Sequence, residues 1–224
     1  MPADPLTDTL ARFGSGLLAD ALDQLGLHVN STGGLRCLAG GNGAIAGYAA
    51  TARIRTANAP VLGRALFRHT DWWAAIRSLP EPCIVVLEDM DEPAGYGACA
   101  GEVEAATFLA LGCRGAVTNG SGRDTGPLST MGFALFAPGT APSRAYAHLV
   151  EHSVEVEIFG LRVRPGDLLV ADANGVISIP KHDAARLCAA ASGLLAQRKK
   201  FVDYCASGAF SIAGMEEQLR QIRS

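Results

Sequence analysis

Apolar residues near the start of the chain recur at steps of three and four. Leu6, Leu10, Phe13, Leu17, Leu18, Ala21, Leu22 and Leu25 share one face of a helix over 5–26, with Gly26 as its C-cap. A glycine-rich stretch follows, Gly33-Gly34 and Gly40-Gly41-Asn42-Gly43. The period then shortens to two: Ala52, Ile54 and Thr56 alternate with Arg53 and Arg55, which predicts a strand over 45–56. A helix is expected over about 64–78, ended by Pro80 and Pro82. The short apolar run 83–87, bounded by turn signals, predicts a buried strand. A second glycine-rich segment, 94–101, leads into a helix over 102–111, closed by Gly112, and 115–119 is the next strand.

Strands alternating with helices imply a largely parallel sheet with helices packed on it, an α/β class. From Val154 the pattern changes. Short strands are expected over 154–159, 167–171 and 176–179, with Asn174-Gly175 as a hairpin turn. A long helix covers 181–206, Gly208 stops it, and an amphipathic helical tail fills about 209–224. The chain shows no repeats, low-complexity tract or linker, so 1–224 is expected to be one domain.

Composition narrows the class. Hydrophobic residues make up 49% and charged residues 18%, which fits a packed globular protein. A net charge of −3 argues against a general nucleic-acid binder, whose phosphate contacts need a basic face. The six cysteines form no C-x-x-C pair, and several lie in apolar runs; they are expected to be free thiols in a reducing cytoplasm. The N-terminus lacks a basic segment followed by an apolar one, so no signal peptide is expected. No apolar run reaches the roughly 18 residues that span a bilayer, so no membrane partner is expected.

The segment 101–126 carries the richest chemistry. Gly101-Glu102-Val103-Glu104 is a helix N-terminus fed by a flexible loop, where backbone N–H groups and the helix dipole favour a small anion. Arg123-Asp124 lies just past the end of the next strand. Loops at adjacent strand ends meet at one edge of an open α/β sheet, so Glu102, Arg123 and Asp124 are placed in one pocket. Arg123 suits a carboxylate or a developing oxyanion. Asp124 and Glu102 are hard oxygen ligands, suited to Mg²⁺ or Mn²⁺ rather than zinc. Arg123-Asp124 as an ordinary surface-turn ion pair is the other reading of the same residues.

Gly101-Glu102, then twenty intervening residues, then Arg123-Asp124, resembles the signature of the RraA-like family. That family includes metal-dependent class II 4-hydroxy-4-methyl-2-oxoglutarate / 4-carboxy-4-hydroxy-2-oxoadipate aldolases and regulators of ribonuclease E. The stretches 19–26, 43–52, 163–172 and 174–180 are similar to the family's N-terminal helix, first strand and C-terminal hairpin. The resemblance implies a three-layer α/β/α sandwich, assembled as a homotrimer or homohexamer with sites at subunit interfaces. It implies a small 2-oxo acid as substrate, with pyruvate held by the 101–104 amides. Arg123 would contact the keto or enolate oxygen, Asp124 would hold the divalent ion, and Glu102 would reach the ion through water. Glu104 departs from the aldolases' apolar residue, and Asn119 from an aspartate. The stretch Gln197-Arg198-Lys199-Lys200 lacks the carboxylate that the aldolases draw from a neighbour's final helix. Oxaloacetate decarboxylation depends less on that acid than aldol cleavage does. The resemblance thus points to a metal-dependent lyase, with a non-catalytic regulator as the alternative; regulators tend to lack the acid after the arginine.

Other motifs weigh less. His148-Leu149-Val150-Glu151-His152 matches a zinc-protease pattern, but that pattern needs a helix, and β-type alternation follows at Val154. Of Trp72-Trp73, one ring is expected in the core and the other at an interface or the pocket mouth. No lysine precedes Lys181, so a central Schiff-base lysine has no place. No Rossmann glycine fingerprint supports a methyltransferase.

Overall fold

In the computed structural model, residues 4–41, 43–60 and 70–223 are described. The first helix, α1 (Pro5–Gln24), starts where Asp4 supplies an acceptor: its carboxylate takes the Leu6 N–H at 2.9 Å. α1 kinks at Gly14, whose φ of 73° and ψ of 166° break the helical ladder. The Asp172 carboxylate caps the second half, accepting from Ser15 N at 2.7 Å and Ser15 Oγ at 2.7 Å. The periodicity hides that kink, because Leu10, Leu17, Leu18 and Leu22 face the core on both sides of it.

β1 (Asn30–Thr32), β2 (Arg36–Ala39) and β3 (Ile45–Arg55) follow. α2 is described over Thr70–Ser78; the earlier part of the helix expected over 64–78 lies outside the described residues. Then come β4 (Cys83–Asp89), β5 (Ala98–Ala100), α3 (Glu102–Ala110), β6 (Cys113–Thr118), β7 (Ser121–Gly122), α4 (Thr125–Thr130), β8 (Ala134–Ala137) and β9 (Gly139–Thr140). The C-terminal part holds β10 (His148–His152), β11 (Val156–Ile158), β12 (Leu161–Val163), β13 (Leu168–Asp172), β14 (Gly175–Ile179), α5 (Ala184–Ala206) and α6 (Ile212–Arg223). The expected strand over 154–159 is one arm of the β11–β12 hairpin, whose second arm carries too little alternation to read.

The main sheet runs β1-β14-β13-β3-β4-β6-β8-β2, with β10 also on β3. Its centre, β3-β4-β6-β8, is parallel, as the strand–helix rhythm requires. Its flanks are antiparallel. β4 reads as an unbroken apolar run because it is buried on both faces.

The α/β class, the C-terminal hairpin and the long final helix stand as expected. The layers differ in one respect. Even-numbered positions of β3, from Ala46 to Ile54, face the helices: α1 and α5 around Leu18 and Leu187, α2 and α3 around Trp72 and Phe108. Ala49 of β3 with Ile84 and Val86 of β4 points the other way, where the β11–β12 hairpin supplies Val156, Ile158, Leu161 and Val163. Among the described residues the second face is therefore covered by a hairpin, not by helices. Trp72 is the buried ring of the tryptophan pair and meets Phe108 edge-on at 5.6 Å; Trp73 packs at the core's margin.

β10 disposes of the protease-like motif. His148 to His152 is a bulged strand on β3, with His148 Nδ1 on Tyr146 O at 2.7 Å and His152 Nε2 beside Asp71 at 3.4 Å. The two rings have separate partners and form no metal pair.

Candidate functional site

A second, three-stranded parallel sheet, β5-β7-β9, carries the candidate residues. Three chain segments leave its C-terminal edge together. Gly101-Glu102 follows β5, Arg123-Asp124 follows β7, and 141–144 follows β9. The ladder continues past each strand: Arg123 N donates to Ala100 O at 2.8 Å and Ala141 N to Gly122 O at 3.0 Å. The meeting of loops at strand ends, expected of the main sheet, is produced by this small one.

Gly101 is where the segments close up. A side-chain carbon there would stand 2.7 Å from Asp124 Oδ2 and 2.9 Å from Arg123 Cγ and Nε, so only glycine admits the approach. Glu102 N donates to Asp124 Oδ2 at 3.1 Å, which ties the start of α3 to the aspartate. Asp124 has left-handed backbone angles, φ 55° and ψ 37°, at the head of α4. An aspartate tolerates that region better than most residues. Arg123 Nε is buried and makes no well-aligned hydrogen bond; Asp124 Oδ2 is its ion-pair partner at 3.3 Å.

Glu102 touches Asp124 through its amide, and its side chain is exposed, as is that of Val103. Glu104 is neither solvent-facing nor open to a ligand: it is 4% exposed. Its Oε2 accepts Gly101 N–H at 3.1 Å, and Oε1 lies 2.9 Å from Arg144 Nη2, an ion pair without ideal hydrogen-bond alignment. No sequence signal marks Arg144, because its approach depends on the path taken after β9. Two of the amides expected to cradle a carboxylate, those of Gly101 and Glu102, are thus engaged by the chain's own Glu104 and Asp124.

Asn119 pins the neighbouring strand. Its Oδ1 accepts Asp89 N–H at 2.7 Å and its Nδ2 donates to Asp89 O at 3.0 Å, a pair of bonds that an aspartate could not make. Burial pushes the Asp89 carboxyl above its ordinary value. Asp91 goes the other way: burial opposes its ionisation, but the Thr56 and Ala57 amides and Arg55 outweigh it and hold it below the usual range.

Among the described residues no three His, Cys, Asp or Glu side chains gather into a metal cage. What is present is one outward-facing carboxylate, Asp124, beside a buried guanidinium nitrogen with no aligned acceptor. That set fits Mg²⁺ or Mn²⁺ held by one protein oxygen, with water and substrate oxygens completing the shell; it does not fit structural zinc. A cavity of about 720 Å³ opens elsewhere, between Arg53, Asp91, Glu155 and Arg162, and Glu102, Arg123 and Asp124 do not line it.

The chain is 33% identical over 90 residues to a Photobacterium profundum protein named "putative 4-hydroxy-4-methyl-2-oxoglutarate aldolase", covering 39% of this chain and 55% of that one. It is 28% identical over 135 residues to an uncharacterized Methanocaldococcus jannaschii protein, covering 59% of this chain and 65% of that one. The matches thus span between about half and two thirds of these curated relatives. An uncharacterized protein of Pseudomonas syringae shares the fold with a TM-score of 0.73 at 21% identity, covering 97% of this chain and 98% of that one. Streptomyces coelicolor RraAS2, described as an unusual member of the RNase ES inhibitor RraA family, does so with a TM-score of 0.69 at 24% identity, covering 90% and 97%. The RraA-like family profile, Aldolase/RraA, matches residues 16–178, and with that match the chain belongs to the RraA-like family.

Proposed function

We propose that the chain is a divalent-metal-dependent C–C lyase of 2-oxo acids that releases pyruvate. The observation that carries the reading is the convergence of Gly101-Glu102 and Arg123-Asp124 at one strand edge, with Glu102 N on Asp124 Oδ2 at 3.1 Å. Asp124 would hold Mg²⁺ or Mn²⁺. When bound, the ion would supply Lewis-acid polarisation of the 2-oxo group. Arg123 would place its guanidinium on the oxygen that gains charge as the C–C bond breaks. The start of α3 would orient the substrate carboxylate through the amides of Val103 and Glu104, since those of Gly101 and Glu102 are in use.

Two cleavages fit these groups: aldol cleavage of 4-hydroxy-4-methyl-2-oxoglutarate-type substrates, and oxaloacetate decarboxylation. Aldol cleavage also needs a group to take the hydroxyl proton. The 197–200 stretch of α5 offers no carboxylate, and Arg198 is paired with Asp20 of the same chain. Pyruvate release from a panel of such acids should require Mg²⁺ or Mn²⁺, vanish with chelator and resist borohydride. Full activity in excess chelator, or inactivation by borohydride with substrate, would overturn the reading. A folded protein inert on the whole panel would leave the RraA-type regulator of an RNA-degrading enzyme as the better account.

A further inference from the structure

We propose that Cys83 and Cys113 are a redox-modification site, a pair of thiols that closes into a cross-strand disulfide by exchange with a small-molecule disulfide such as oxidised glutathione. The pair stands at the far end of α3 from Gly101-Glu102, and the inference does not depend on the reaction proposed above.

The two cysteines are far apart in sequence, and the fold makes them neighbours. Cys83 opens β4, Cys113 opens β6, and the parallel register sets one directly across from the other. Neighbouring strands lie roughly 4.8 Å apart, and a disulfide joins Cα atoms about 4.4–6.8 Å apart, so the register puts the pair within bridging range. Both side chains enter the same helix-side core, beside Val85 and Phe108. There Cys113 hydrogen-bonds to the Cys83 sulfur. That contact outweighs burial and holds the Cys83 thiol below its ordinary value, while the same contact and burial push Cys113 up. The pair therefore gives up one proton more easily than two, which leaves one sulfur as nucleophile and the other as the resolving thiol.

The cover over the pair is thin. Cys83 is 0% and Cys113 2% exposed, but each is the first residue of its strand. Next to them are half-buried Glu81 and Gly112 and exposed Pro80, whose carbonyl accepts from Cys83 Sγ at 3.3 Å. Cys83 N donates to Gly112 O at 3.1 Å, the bond that closes this edge of the ladder. A strand end opens locally at lower cost than the whole fold, so a small disulfide reaches the thiols through the 79–82 turn.

The Cys83 thiolate attacks one sulfur of oxidised glutathione, whose S–S bond breaks and releases one glutathione thiolate. Cys113 loses its proton, and its sulfur attacks the Cys83 sulfur of the mixed disulfide, releasing the second glutathione. Two protein thiols are oxidised, one small disulfide is reduced, and the two protons end on the two glutathione sulfurs. Once formed, the bond clips the C-terminal end of α3 to the start of β4. It closes the segment 83–113, which carries the Gly101-Glu102 half of the candidate site.

The test uses the intact, fully reduced protein. It is incubated under native conditions with oxidised glutathione, then unfolded in N-ethylmaleimide and mapped by mass spectrometry. Cys83 and Cys113 should lose their alkylation and appear as one linked peptide, about 2 Da lighter than its two reduced parts. Exposed Cys205 should carry glutathione, which shows that the reagent is active. Excess dithiothreitol should restore alkylation of both partners, and Cys113→Ser should yield no linked peptide. Full alkylation of Cys83 and Cys113 beside a modified Cys205 would overturn the proposal. So would glutathione retained on Cys83 without closure, or a bridge from either residue to another cysteine. All three readouts come from wild type, so they decide the matter even if Cys113→Ser does not fold.

Discussion

Gly101→Ala is the smallest change that tests the site. Its added carbon would land 2.7 Å from Asp124 Oδ2, so the loop or the aspartate must move. A displacement of about an ångström costs on the order of a hundredfold in turnover, with little effect on a melting curve. Arg123→Lys keeps the charge but loses the planar fork, and should cost roughly 10²-fold or more in kcat/KM. Glu102→Gln should be mild, because the contact with Asp124 is made by the backbone, which the substitution leaves in place. Steady-state kinetics on the three variants ranks them, and a Glu102→Gln loss as large as that of Arg123→Lys would contradict the geometry. Most of these residues were legible in the sequence, because glycine, acid, arginine and acid at that spacing carry their chemistry in their identities. Arg144 was not, since an arginine in a loop has no signature until its partner's burial is known. The role of Glu104 was hidden for the same reason.

Elements differ in what their sequence exposes. α1 announces itself because burial of one face imposes a period on its side chains, and β4 because burial of both faces leaves an unbroken apolar run. The small β5-β7-β9 sheet does not: its strands are two or three residues long, shorter than any period. The hairpin layer was missed because Leu161 and Val163 alone make too short an alternation. The helix face of the sheet should be rigid. Phe108 is 3% exposed and holds Trp72 and Phe133 together, so Phe108→Ala should cost about 3–5 kcal/mol in denaturant unfolding. The turn after β4 adds a pH dependence. Asp91 has a lowered folded value, so its stabilisation is present above the ordinary carboxylate range and is lost as pH falls through that lowered value. Asp89, with a raised folded value, acts in the opposite sense. Asp91→Asn should flatten the acid limb of stability measured by denaturant titration, and an unchanged limb would show that other carboxylates dominate it.

At the scale of the whole molecule, family membership rests on a profile match over 16–178, while the proposed activity rests on a handful of residues at one edge. No helix among the described residues is long and apolar enough to cross a membrane. α5, α6 and the turn between them leave Leu195, Val202, Phe210 and Ile212 exposed, which is consistent with the trimer or hexamer proposed from the resemblance. Light scattering at micromolar concentration should then return three or six times the 23.2 kDa chain mass, and a monomer would remove any shared site. The central claim is that Asp124 and a divalent ion together make this edge catalytic. The most direct test is pyruvate release by wild type and Asp124→Ala, each with Mg²⁺ and with chelator, on one- and two-carboxylate 4-hydroxy-2-oxo acids and on oxaloacetate. The account predicts turnover by wild type with Mg²⁺ alone, and none by Asp124→Ala in either condition. Comparable turnover by the two proteins would contradict it and return Arg123-Asp124 to an ordinary ion pair in a turn.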